Sequence, residues 1–270
     1  MTTKEQKQKL DQESEKIADN ISHIKHRIAV FSGKGGVGKT MVSVNLSYGL
    51  QMSDYKTGIL DADITGPNVP KMTGVKGKVL TNEGKIVPQI SEGVKIISMA
   101  NLLPPSQAVV WRGPMRSKMI NEFLGVVDWG NLDYLIADLP PGTGDEILTI
   151  VQNMKPDMAI IVTTPQEMSL IDSARAIGMA KKMGIPYIGL IENMSGFKCP
   201  DCGHQIDLFG SGGGKKQAEE MDVDFLGAIP INLKARELAD MGRSIIVEDK
   251  EADISKMIYR IVRKIEKEFE

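Results

Sequence analysis

Residues 27–40 read RIAVFSGKGGVGKT, an apolar run that breaks into a glycine loop and leads into a helix-compatible stretch over 40–52. The loop GKGGVGKT (33–40) satisfies G-x-x-x-x-G-K-[ST] in the strand–loop–helix setting that gives this pattern its meaning. Glycine lets backbone N–H groups curl around phosphate oxygens, and a helix N-terminus adds partial positive charge. Gly33, Lys34, Gly35, Gly36, Val37, Gly38, Lys39 and Thr40 are therefore candidate nucleotide-binding residues. Lys39 would reach the β- and γ-phosphates, and the Thr40 hydroxyl would hold Mg²⁺.

Outward from this loop the same grammar repeats. TGILDAD (57–63), VKIISM (94–99), LDYLIAD (132–138), DMAIIVTT (157–164), YIGLIEN (187–193) and DFLGAIP (224–230) are near-continuous apolar segments, as expected of strands buried on both faces. Helical spacing fills the gaps at 115–124, 145–154, 167–182 and 233–241, and residues 254–269 form an amphipathic terminal helix. Strand alternating with helix predicts an α/β fold, a doubly wound and mostly parallel sheet with helices on both faces. Residues 64–93 fit this rhythm poorly, and TNEGK (81–85) reads as a turn in an excursion from the sheet. The division expected is an N-terminal arm over 1–25, mobile or a frayed helix, followed by one domain over 26–270 with a cysteine loop at 196–214.

Strand ends supply acids. Asp138 closes a buried strand, where doubly wound sheets keep their ligands, and would hold magnesium through its water shell. PPGTGD (140–145) follows as a switch loop, with the Gly142 N–H free to sense a γ-phosphate.

Lysines and arginines number 33 against 35 acids, a net charge of −2 that gives no support to a nucleic-acid surface. The opening MTTKEQKQKLDQESEK is too polar for a signal peptide's apolar region, and no apolar run is long enough to span a membrane, so a cytoplasmic protein is expected. Cys199 and Cys202, within GFKCPDCGHQ (196–205), are the chain's two cysteines, and in a reducing compartment C-x-x-C points to metal or redox chemistry.

KGGVGKT resembles the deviant Walker A loop of the MinD/ParA/ArsA/nitrogenase-iron-protein class. That resemblance implies that Lys34 crosses a dimer to the partner's nucleotide. It also implies a DxD role for Asp61 and Asp63, the first at the metal and the second orienting attacking water, and adenine recognition by the Asn193 amide. Lys34, Lys39 and Asp63 are thereby the candidate catalytic residues. DADITGPNVP, WRGPM (111–115), DLPPGTGD, TTPQE (163–167) and ENMSGFKCPDCGHQIDLFGSGGG (192–214) narrow the likeness to the Mrp-type (ApbC-like) iron–sulfur carrier ATPases. Asn68 departs from the serine usual after Gly-Pro in that family.

The resemblance implies a homodimer that binds ATP with Mg²⁺, hydrolyses it slowly as a switch, and carries a labile 4Fe-4S cluster. A cluster scaffold or donor would load it, and apo iron–sulfur proteins would receive it. The cysteine count converges on this, since a cubane cluster takes four thiolates and each chain offers Cys199 and Cys202. A zinc tetrahedron across the same dimer and a thioredoxin-like disulfide remain alternatives for the pair. A positioning ATPase of the MinD/ParA type is the competing function, drawing on Arg260, Arg263, Lys264 and Lys267 beside the apolar face of the terminal helix. That face packed on the sheet is the expected outcome, with no stable membrane association. An electron-transfer reductase like the nitrogenase iron protein is the third reading.

Overall fold

The computed structural model describes residues 3–63, 66–101, 113–142 and 144–270. The chain starts with helix α1 (Thr3–Ser22) and strand β1 (Ile24–Phe31), then α2 (Lys39–Met52), β2 (Thr57–Asp61) and the short α3 (Val69–Thr73). A hairpin, β3 (Leu80–Asn82) and β4 (Lys85–Val87), precedes β5 (Gln89–Ser91) and β6 (Val94–Ser98). Next come α4 (Gly113–Val126), β7 (Leu132–Asp138), α5 (Asp145–Met154), β8 (Met158–Thr163), α6 (Glu167–Lys182) and the long β9 (Tyr187–Lys198). The chain closes with β10 (Gln205–Ile206), α7 (Gly213–Glu220), β11 (Asp224–Ile231), α8 (Leu233–Asp240), α9 (Ile245–Glu248) and α10 (Asp253–Phe269).

Nine strands form one sheet in the order β10-β9-β8-β1-β7-β2-β6-β5, with β11 also paired to β9. All pairings are parallel except β5 on β6 and β10 on β9, which cap its two ends. The doubly wound parallel sheet expected from the sequence is the fold observed. Successive residues of β1 explain the two layers: Ala29 and Phe31 enter the core under α1, α4, α5 and α6, while Ile28 and Val30 enter the core under α2 and α10. Each fully buried Ile, Leu or Phe contributes ~1.5–3 kcal/mol.

Ile254, Ile258, Ile261, Val262 and Ile265 of α10 are all buried in the second core. The apolar face available to a membrane in the competing reading is thus covered by β11 and α2. Among the described residues no helix is long and apolar enough to cross a membrane. Residues 80–87 leave the main sheet as a two-stranded hairpin, turning at Glu83 and Gly84 with φ of 49° and 79°, as the TNEGK turn required.

The N-terminal arm is corrected. Residues 3–22 form a continuous helix docked on α4. Ile17 and Ile21, one turn apart, are 4% and 5% exposed, and Ile17 lies where a side chain on Gly125 would stand. The Asn20 amide donates to the Leu124 and Val127 carbonyls at 2.7 and 2.9 Å, satisfying the open end of α4. A low apolar fraction suggested disorder, but two isoleucines and one amide in register suffice when a receiving groove exists. His26 of β1 is likewise packed: it stacks on Phe269 at 4.2 Å, and burial lowers its pKa.

Candidate nucleotide and cysteine sites

The phosphate loop leaves the C-terminal end of β1 at the centre of the sheet, flanked by β7 and β8. Gly36 and Gly38 have φ of +82°, the left-handed region that a β-carbon disfavours. A β-carbon on Gly33 would meet the Asp172 backbone at 2.3 Å, so α6 clamps the loop's entry. Gly38 is the N-cap of α2 and no side chain caps that end, which leaves its N–H groups for a ligand. A cavity of about 200 Å³ opens there, bounded by the loop, Asp63, Asn68 and Pro141. The Ser32 hydroxyl on its wall is buried without a hydrogen-bond partner among the described residues.

Asp138 is fully buried and organises this floor. Its Oδ1 accepts from Lys39 Nζ and Ser43 Oγ, both at 2.7 Å, and its Oδ2 accepts from Thr40 Oγ1 at 2.7 Å. Asp61 is its register neighbour across the β2–β7 ladder. Asp61 Oδ2 accepts from Ser98 Oγ at 2.9 Å and from the Val69 N–H at 3.3 Å, while its Oδ1 accepts from the Asp63 N–H at 3.2 Å. Asp63 in turn accepts the Gly66 N–H at 3.1 Å and faces the cavity. Lys34, within the loop, is half-buried. Paired carboxylates and a hydroxyl are hard oxygen donors, the set that suits Mg²⁺.

Burial pushes the Asp61 carboxyl up to about 8, and the Asp138 charge adds to the rise; the Ser98 hydroxyl, Lys39 and the Val69 N–H oppose it. The folded value lies above the ordinary 3.8. The stability contributed by the protonated acid is therefore complete below the ordinary value and lost as the pH rises through the folded one. Asp61→Asn has nothing to ionise. The nucleotide-free variant is expected to melt above the parent, with a gap that widens from about pH 4 to about pH 8 and then levels. Paired melting curves across that range check it; a flat gap would mean Asp61 is charged throughout.

Two candidate ligand donors are engaged by the chain's own carbonyls. The Gly142 N–H donates to the Ser32 carbonyl at 2.9 Å, so the switch-loop glycine closes on β1 instead of offering a free donor. Asn193 is 1% exposed and its Nδ2 donates to the Val37 carbonyl at 2.8 Å. That amide braces the phosphate loop from below. Residues 64–65, 111–112 and 143, which belong to quoted motifs, lie outside the described residues.

Ser43 and Ser98 were missed as anchors of the two acids. Ser43 had a signal, since it sits one helical turn after Lys39 and so shares its face. Glu192 was missed too. It is fully buried and accepts from Ser195 Oγ at 2.5 Å and from the Gly212 and Gly214 N–H groups at 2.9 and 2.5 Å. This carboxylate ties the far end of the cysteine loop back to β9. A charged residue inside the apolar run YIGLIEN was its one trace in the sequence.

Strand β9 runs on past Asn193, through left-handed Met194 and Gly196 (φ 57° and 76°), to the cysteines. The Cys199 N–H donates to the His204 carbonyl and the Gly203 N–H to the Cys199 carbonyl, both at 2.9 Å, closing a tight knuckle at the tip of the β9–β10 hairpin. Both thiols are free; Cys199 is half-buried and Cys202 exposed. N–H groups of Cys202 and Asp201 aimed at the Cys199 sulfur hold its pKa below the usual thiol range. Among the described residues no group of three or more His, Cys, Asp or Glu side chains could hold a metal ion. One copy thus presents two soft ligands, half of a thiolate site.

The family model described as ParA: NUBPL iron-transfer P-loop NTPase matches residues 23–266. The iron-sulfur cluster carrier protein of Methanocaldococcus jannaschii is 50% identical over 98% of this chain and 93% of its own. The iron-sulfur cluster transfer protein NUBPL of Dictyostelium discoideum is 42% identical over 93% and 78%. A nucleotide-binding protein from Archaeoglobus fulgidus, solved in complex with ADP, superposes with a TM-score of 0.78 at 41% identity, covering 89% of this chain and 94% of that one. The septum site-determining protein MinD of Pyrococcus horikoshii, at 24% identity and a TM-score of 0.64, shares the fold. The chain, with its phosphate loop and its cysteine hairpin, belongs to the ParA/NUBPL family of iron-transfer P-loop NTPases.

Proposed function

We propose that this protein is an ATP-dependent carrier of a labile iron–sulfur cluster, held as 4Fe-4S between two copies of the chain and handed to apo-proteins. The observation that carries the reading is β9 itself: one strand braces the phosphate loop through Asn193 and delivers Cys199 six residues later. Rearrangement at the nucleotide therefore has a short covalent path to the cluster ligands. Two knuckles across a two-fold axis supply the four thiolates that a cubane needs. The names and sequence identity of the carrier relatives support the cargo.

In this reading Lys39 leaves Asp138 for the β- and γ-phosphates while Ser43 keeps the carboxylate aligned. Thr40, with Asp138 and Asp61 behind it, would hold Mg²⁺, which would supply charge neutralisation to the phosphoryl group. Asp63 orients water, and Lys34 reaches the partner copy's nucleotide. Turnover is slow and serves as a switch. The domain spans 26–270 with α1 docked upon it, and free thiols suit a reducing cytoplasm. A scaffold or donor protein loads the cluster.

Anaerobic reconstitution of the wild type tests this, with iron, sulfide and zinc assays and sedimentation in the presence of Mg-ATP. About one four-iron cluster per dimer is expected. Stoichiometric zinc with no cluster after reconstitution would sink the proposal and leave a structural metal in its place.

A further inference from the structure

Among the described residues, an open groove of about 730 Å³ has Cys199 in its wall, whereas Cys202 is absent from its lining. It runs between the cysteine knuckle, the end of β11 and the start of α8, with the α9–α10 connection along its far side. Pro230, Ile231 and Leu233 give it an apolar floor, and Leu233 is 47% exposed. Charge on the lining leans negative. Lys234 is tied to Asp249 at 2.7 Å, which leaves Glu237 and Asp253 against Lys198. Arg236, outside the lining, is shared between Glu237 at 3.1 Å and Asp240 at 3.5 Å.

We propose that this groove admits the accepting thiol when the cluster leaves: an extended, cysteine-bearing segment of the recipient whose flanking residues are Lys or Arg. The proposal rests on the carrier function above and adds the side from which the recipient approaches. The accepting sulfur must come within bonding distance of an iron that is still held. Cys202 is exposed to solvent, and Cys199 is the ligand that lines the groove. In the exchange, the bond from iron to the incoming sulfur forms as the bond to Cys199 breaks. The proton lost by the incoming thiol passes to the Cys199 sulfur, and iron and sulfide keep their oxidation states. The apolar floor seats the segment, and the acidic lean selects its charge.

The test uses the reconstituted holo-dimer and the apo form of a four-iron ferredoxin as recipient. Leu233→Trp fills the groove, Glu237→Lys reverses its charge, and Leu80→Trp, at an exposed hairpin position, is the control. Cluster content should match wild type in all three. Transfer should slow at least about tenfold for Leu233→Trp, because the reacting sulfurs no longer meet in line. For Glu237→Lys it should slow about threefold at low salt and less at high salt. Wild-type transfer by Leu233→Trp would overturn the proposal. Loss of the dimer in that variant would also overturn it, by making the groove an interface between copies. Absence of any cluster in the wild type would fail the carrier reading first, before a variant is made, and this proposal with it.

Discussion

Lys39→Ala is expected to abolish ATP binding and turnover and also to lower the melting temperature of the nucleotide-free protein. The second effect follows from burial: Lys39 is 6% exposed and its partner Asp138 is 0% exposed, with 2.7 Å between Nζ and Oδ1. Removing one member of a buried pair leaves the other charge uncompensated, which costs about 3–5 kcal/mol. Thr40 and Ser43 still donate to Asp138, so the lower end of that range applies. For a chain of this size the loss is roughly ten degrees in Tm. Calorimetry without nucleotide reads this effect, and a phosphate-release assay with Mg-ATP reads the other. Unimpaired turnover would refute the phosphate-loop assignment. An unchanged Tm alongside lost turnover would mean that Asp138 does not depend on Lys39 for its charge balance.

Cys199→Ser/Cys202→Ser should lose the cluster completely and leave the fold intact. The knuckle is closed by backbone bonds from the Cys199 and Gly203 N–H groups, neither of which uses a sulfur. Cys202 is exposed and Cys199 half-buried, so stability should stay within ~0.5 kcal/mol of wild type. Iron and sulfide content per protein, the visible absorption after reconstitution, and ATP binding by the same preparation give the result. Retention of a cluster by the double variant would place its ligands elsewhere and end the bridging model. Loss of ATP binding with the cluster would show that the two sites share more than β9.

The contacts that the sequence did not show have a common physical origin. The resemblance gave Asn193 a ligand to face and its place in a loop gave Gly142 one, yet both donors meet carbonyls of the chain itself. Sequence position does not tell which buried acceptor lies within reach. The Val37 and Ser32 carbonyls are brought there by the sheet register, and an unpaired buried amide is costly enough that a nearby carbonyl captures it. The N-terminal helix fails as an arm for the same reason. Its composition is that of a solvated segment, but α4 ends in open carbonyls at the height of Asn20 and leaves Gly125 bare beside Ile17.

The sequence by itself determined the α/β alternation, the phosphate loop and the chemical identity of the two acids and two thiols. These are local: a strand buried on both faces must be apolar throughout, and a loop around phosphate must be glycine-rich with a lysine at its end. Only the tertiary structure decided that Asp61 and Asp138 sit side by side, with burial driving the first toward neutrality, and that Ser43 and Ser98 hold them. It also placed Glu192 as the clamp on the cysteine loop and opened a groove beside Cys199. Those facts depend on which strands become neighbours and on what water is excluded. Contacts between residues far apart in the chain carry no fixed spacing that a sequence pattern could record.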